Sequence, residues 1–215
     1  MIPLKRIFAL LLVAATVLAF AGCNVKKRIL PEVTTQEYYP TAFDPSIVVD
    51  DALKETFLKS YLMPHAELVE DVFVLSHLPV DKSAAIVHNG VNYAPVTENA
   101  KYKTYGELIA KLESLYTEDA IKELLGNPAI YAEIDGKLYY NLDYSSGYFA
   151  GEKAYPYDWS EIEFDDTLTT RNDDTVFLRF YVIDKKANSK AMICTMNAVK
   201  VNDEWRLDKF VSVQE

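Results

Sequence analysis

The sequence predicts an α+β domain in which N-terminal helices pack on one face of a curved antiparallel sheet. Three observations predict it. After residue 45, apolar residues recur at helical spacing as far as Leu125. From Ile130 onward they alternate with polar ones, the two-residue period of strands. Asn89-Gly90 and Asp135-Gly136 are two-residue hairpin signals flanked by such runs. Helices first and a meander of strands after is the order of an α+β fold.

The 215 residues divide into three parts. Residues 1–22 have the grammar of an export signal. Lys5 and Arg6 supply a positive start, and Ile7 to Ala21 is apolar apart from Thr16. A membrane-spanning helix needs roughly 20 apolar residues, so this run is short for a span. It ends in Leu18-Ala19-Phe20-Ala21-Gly22-Cys23, with small residues directly before a cysteine. That ending resembles a bacterial lipobox, which implies cleavage before Cys23 and acylation of its thiol. The plainer alternative is a cleaved signal followed by an incidental cysteine. Residues 23–45 read as a lipid anchor and flexible tether, with Pro31, Pro40 and Pro45 and no sustained apolar period. Residues 46–215 read as a single α+β domain. The expected location is extracytoplasmic, lipid-anchored to the cell membrane.

Without Lys5 and Arg6, the 22 basic residues become 20 against 32 acidic, a net charge of −12. That balance argues against nucleic acid, whose phosphates need Lys and Arg partners. With Cys23 acylated only Cys194 remains, so no disulfide framework is expected.

Along the domain, Asp44-Pro45 looks like a helix start, and Val49, Leu53, Phe57 and Tyr61 form a stripe every fourth residue. Pro64 should interrupt or restart that helix, because it lacks an N–H. His65 to Leu75 reads as a second helix, although Val72 to Leu75 also fits a strand. Ile86 to Val96 should hold a hairpin. Thr104-Tyr105-Gly106-Glu107 is a capping box opening a helix with Leu108, Ile109, Leu112, Leu115 and Tyr116 on its apolar face. Thr117 caps the next helix, and Gly126 ends it in a left-handed conformation, with Pro128 barring continuation. Beyond it, Ile130, Ala132 and Ile134 alternate with Tyr131 and Glu133. Val176 to Ile183, apolar on both faces except Arg179, reads as a central strand. Ala191 to Val201 and Trp205 to Val213 are expected to pair with it, with a turn near Asn202-Asp203.

Signals of catalysis are weak. His65, His77 and His88 lack metal-ligand spacing, and there is no Cys-x-x-Cys. Cys194 lies in an apolar strand, where a buried thiol is inert. Glu161 and Glu163 share a strand face, an arrangement that serves glycosidases but is more simply a solvated face. The expectation is a non-catalytic protein with no cofactor and no metal. The unusual feature is the loop from Asp143 to Trp159. There Tyr144, Tyr148, Phe149, Tyr155 and Tyr157 are interspersed with Asp143, Glu152 and Asp158. Such aromatics anchor protein interfaces, stack on sugar rings, or fold back over a sheet edge.

From Tyr93 to the C-terminus the order of motifs resembles the IseA family, secreted inhibitors of cell-wall D,L-endopeptidases. The residues that carry it begin with Lys103-Thr104-Tyr105-Gly106-Glu107-Leu108 and Leu115-Tyr116-Thr117-Glu118-Asp119-Ala120. They continue with Ile134-Asp135-Gly136-Lys137-Leu138, Asp143 with Gly147, Trp159, and Asp203-Glu204-Trp205-Arg206-Leu207. The resemblance implies a cystatin-like or NTF2-like fold and a loop presented to the cysteine–histidine active site of a cell-wall hydrolase. The loop residues it singles out as partner-binding are Asp143, Tyr144, Ser145, Gly147, Tyr148 and Trp159. The other reading of the same sequence is an envelope-anchored module that binds a glycan or small ligand in a groove of the sheet.

Overall fold

The computed structural model describes residues 49–148, 157–165, 170–171, 174–184 and 189–212. Asp44–Glu215 forms one compact unit. The signal, Cys23, the tether, Asp44-Pro45 and residues 149–156 of the aromatic loop lie outside the described residues.

Helix α1 (Asp51–Phe57) is capped by Asp50; the start expected at Asp44-Pro45 lies outside the described residues. Asp50 is extended, and its carboxylate accepts the Leu53 N–H at 2.7 Å. Pro64 does not break the helical path. The chain passes through a π-helical turn, Leu58–Leu62, into α2 (Met63–Leu68) and a second π-helical turn, Val69–Phe73. Pro64 falls in the first turn of α2, where its missing N–H costs little. A π turn inserts one residue into the helix. The buried position after Phe57 is therefore Leu62, five residues on, and Tyr61 is only half-buried. Helical backbone continues to Phe73, so Val72 and Phe73 are helical, while Val74 and Leu75 form bends rather than helix or strand.

Helices α3 (Tyr105–Leu115) and α4 (Glu118–Leu125) follow the local grammar closely. The Thr104 hydroxyl accepts the Glu107 N–H at 3.1 Å, while the Glu107 carboxylate accepts from the N–H groups of Lys103 and Thr104. Thr117 accepts the Ala120 N–H. Gly126 ends α4 with its N–H on the Lys122 carbonyl, at φ +74° and ψ −176°. The φ is positive as expected, but the ψ is extended, not left-handed helical. That combination is essentially restricted to glycine.

The strands form two antiparallel sheets rather than one, and one of the two is strongly curled into a half-barrel. The first has the order β1-β2-β4-β3, from β1 (Ile86–His88), β2 (Val91–Pro95), β3 (Tyr131–Ile134) and β4 (Lys137–Asn141). The second has the order β5-β7-β8-β9, from β5 (Tyr157–Phe164), β7 (Thr175–Asp184), β8 (Ser189–Val201) and β9 (Glu204–Leu207). The short β6 (Thr170–Arg171) also pairs with β7. Asn89-Gly90, Asp135-Gly136 and Asn202-Asp203 have positive φ at both positions, the signature of type I′ turns. β7 is central, as its composition requires. β9 pairs with β8 and not with β7, because the two-residue turn at Asn202-Asp203 returns the chain directly onto β8.

The core lies between helices and sheets. Leu108, Leu112 and Leu115 of α3 are buried together with Val176, Leu178, Phe180 and Val182 of β7 and Cys194, Met196 and Ala198 of β8. In β3 the alternation is overridden. Tyr131 is fully buried against Phe73, and its hydroxyl donates to the Val72 carbonyl.

Candidate functional site

The loop after β4 is built from polar staples. Asn141 is buried, and its side-chain oxygen accepts the Asp143 N–H at 2.9 Å, which turns the chain out of the strand. The Asp143 carboxylate then reaches across to β2. It accepts the Asn92 backbone N–H at 2.9 Å and the Asn92 side-chain amide at 3.0 Å. These donors hold its carboxyl below the ordinary range. Asp143 is exposed, but its charge is already engaged within the domain.

Tyr144 leans inward. It is half-buried, donates its hydroxyl to the Phe73 carbonyl, and packs against the core. Burial pushes its phenol up. Ser146 donates to the Val74 carbonyl and accepts the Tyr148 N–H, and Ser145 accepts the Gly147 N–H. Gly147 takes φ +77°, which lets the loop reverse over these contacts. Tyr148 is half-buried on the core. Trp159 is a correction: it is fully buried, 5.1 Å from the His65 ring and 6.3 Å from Phe180. A side chain with no exposed surface cannot be a contact anchor; it is a core residue. Phe149 and Tyr155 lie outside the described residues. The structure thus brings Asp143, Tyr144, Ser145, Gly147 and Tyr148 together in one loop and buries Trp159 in the core. Asn92 was missed by sequence reasoning, because nothing local to it signals a partner 51 residues away.

The histidines take three roles. His65 is wholly buried. Its Nε2 lies 2.7 Å from the Val211 carbonyl, which can only accept, so Nε2 carries the proton. Nδ1 is then the acceptor, and the Tyr116 hydroxyl donates to it at 2.6 Å. Burial lowers the His65 pKa to about 4 and raises that of Tyr116 well above normal. His77 stacks on Tyr140 at 4.3 Å. His88 stands exposed beside the Asn89-Gly90 turn, as expected. Cys194 is buried, and its thiol is pushed up to about 12. Glu161 and Glu163 are both exposed, consistent with a solvated face. Among the described residues no three His, Cys, Asp or Glu side chains gather as a metal site.

Elsewhere an open cleft of about 450 Å³ is lined by Tyr61, Lys111, Ser114, Trp205 and Arg206, among others. It forms where the first π turn, the last turn of α3 and the β8–β9 turn meet. Trp205 is wedged edge-on against Phe57 at 5.7 Å, and the Lys200 ammonium stands 5.4 Å from its ring centre. No known family model matches the chain, and no curated protein sequence matches it.

Proposed function

We propose that this chain is a non-catalytic lipoprotein of the cell envelope, held to the membrane through Cys23, that binds and inhibits a peptidoglycan D,L-endopeptidase of the cysteine–histidine type. The lipobox-like ending and the IseA-like order of motifs motivate the location and the target. The observation that carries the reading is the fixed conformation of the loop from Asp143 to Tyr148. Its ends are tied to β2 through Asn92 and to the end of the first helical stretch through Val74. A loop already held in one conformation loses little entropy on binding, which is what a tight inhibitor needs. His65 and Cys194, the groups chemistry would most readily use, serve in the core. The test is to titrate the full-length protein into peptidoglycan digestion by the D,L-endopeptidases of its own cell. Saturable inhibition is expected. Absence of binding to every one of them discards the reading.

One observation favours a second reading, that of a glycan or small-ligand binding module, with the ligand in the cleft between the helices and the β8–β9 turn instead of a groove of the sheet. The cleft beside Tyr61 and Trp205 has aromatic walls and is also lined by the Ser60 and Ser114 hydroxyls, the cations Lys111 and Arg206, and the carboxylates Asp203 and Glu204. Equilibrium titration with wall-derived saccharides distinguishes it, since saturable binding abolished by Lys111→Ala would place the ligand there.

A further inference from the structure

The cleft between the first π turn, α3 and the β8–β9 turn holds a cation that the domain leaves unanswered. Lys111 projects from α3, lines the cleft and is half-buried. Among the described residues no carboxylate lies within ion-pair distance of its ammonium, although the chain carries 32 acidic residues against 22 basic ones. Burial pulls the Lys111 pKa below the ordinary lysine value, and the Lys101 ammonium lowers it further. Lys101 itself is paired with Glu67.

The other charges of the cleft are engaged or solvated. The Arg206 guanidinium donates to the Glu204 carboxylate at 2.5 Å and to the Trp205 carbonyl at 2.8 Å. Asp203 is exposed in the β8–β9 turn, where water and salt screen it. Between these charges lie Tyr61 and Trp205, both half-buried. Phe57 and Lys200 hold the Trp205 ring in place. Ser114 stands one turn along α3 from Lys111, on the same face. Its hydroxyl donates to the Lys111 carbonyl at 2.7 Å, which leaves its oxygen to accept.

We propose that this cleft binds a sugar bearing a single carboxylate, with the ring against Tyr61 and Trp205 and the carboxylate on Lys111. The proposal rests on the second reading above, in which the cleft holds a glycan or small ligand, and not on the inhibitor reading. Charge selects the anion. A partly desolvated ammonium without a partner gains more from a bound carboxylate than an exposed lysine does, because its water is already partly removed. Among the described residues lining the cleft, Lys111 is the one cation without an ion-pair partner, and this selects a carboxylate over a phosphate. The fork that would grip a phosphate, that of Arg206, is occupied by Glu204. Shape selects a sugar. The volume of about 450 Å³ is in the range of small-ligand sites, and the slightly positive C–H face of a sugar ring packs on the negative face of an aromatic one.

The experiment is calorimetric titration of the full-length protein with three probes. N-acetylmuramic acid carries one carboxylate on its ring through a lactyl ether, N-acetylglucosamine is the same ring without it, and lactate is the carboxylate without the ring. N-acetylmuramic acid is expected to bind roughly tenfold or more tightly than either of the others. Lys111→Met keeps the apolar stem and removes the charge. The two sugars are expected to bind it alike, at an unchanged thermal midpoint, while Lys111→Arg keeps the preference. Equal affinity for the two sugars in the wild type overturns the proposal and leaves the ligand-binding reading standing. So does lactate binding as tightly as N-acetylmuramic acid, or a preference that survives in Lys111→Met. If neither the probes nor the wall-derived saccharides bind, the proposal and the ligand-binding reading fall together.

Discussion

His65 and Asp143 each bind a partner 51 residues away in sequence, Tyr116 in one case and Asn92 in the other, but they do so in opposite surroundings. His65 sits in the core among Tyr116, Trp159 and Phe210, and its second nitrogen reaches the C-terminal Val211. Asp143 makes its contacts in water. The count of hydrogen bonds is similar, but the energetic consequence is not. A buried polar group left without a partner costs its whole desolvation penalty, whereas an exposed one turns to solvent. The first node therefore holds the domain together, and the second sets the shape of a surface.

The largest effect should come from emptying the buried node. His65→Ala leaves a cavity beside Trp159 and deprives both the Tyr116 hydroxyl and the Val211 carbonyl of their partners. The expected loss is about 3–5 kcal/mol, read as a shift in the urea midpoint. A loss under about 1 kcal/mol would mean that the ring is not packed as described.

The same node should respond to acid. His65 titrates near 4 in the folded protein and near 6.5 unfolded. Above pH 6.5 it is neutral in both states and contributes no pH dependence. As pH falls through 6.5 the unfolded chain takes up a proton that the folded core refuses, so stability declines until about pH 4. The integrated loss is about 3 kcal/mol. Comparing chemical denaturation at pH 7 and pH 4.5 for the wild type and His65→Phe isolates this histidine, since the variant should lack that portion of the decline.

What was legible in the sequence divides along the same line. Features whose cause lies within a few residues could be read: the Thr104–Glu107 capping box, the Thr117 cap, and the turns at Asn89-Gly90, Asp135-Gly136 and Asn202-Asp203. Features decided by distant packing could not. The π turn that moves burial from Tyr61 to Leu62 depends on what the helix packs against. Tyr131 faces inward because Val72 offers its hydroxyl a carbonyl, not because of strand alternation. Trp159 looked like part of an aromatic surface loop, but it opens β5 pointing into the core. Of the candidate site, the loop's position after the Asp-Gly hairpin was legible. Its clamp to Asn92 was not, because local pattern carries no information about a contact 51 residues away.

Gly126 tests the local half of that division. A Cβ there would meet only the Pro128 carbonyl, at an ordinary 3.7 Å, so space is no obstacle. The backbone is the obstacle, since φ +74° with extended ψ is costly for a β-branched residue. Gly126→Val should cost about 2 kcal/mol, within the range for such strain. An unchanged denaturation midpoint would show that the chain after α4 takes another path.

The smallest stability effect, and the one most informative about function, belongs to Asp143. Asp143→Ala removes the acceptor for two Asn92 donors, but both donors lie at an exposed position and can bind water instead. Global stability should therefore fall by less than about 1 kcal/mol. Local order at Asn92 should fall more, because the Asp143 carboxylate is the acceptor that holds the Asn92 N–H. Amide exchange at Asn92 and across the hairpin should accelerate while exchange in β7 stays unchanged, the pattern of a local opening rather than global unfolding. If the exposed node does set the shape of a binding surface, the same variant should weaken partner binding more than it weakens the fold. Equal protection at Asn92 in wild type and variant would show that the hairpin holds its shape without Asp143, and the two nodes would then differ less than their surroundings suggest.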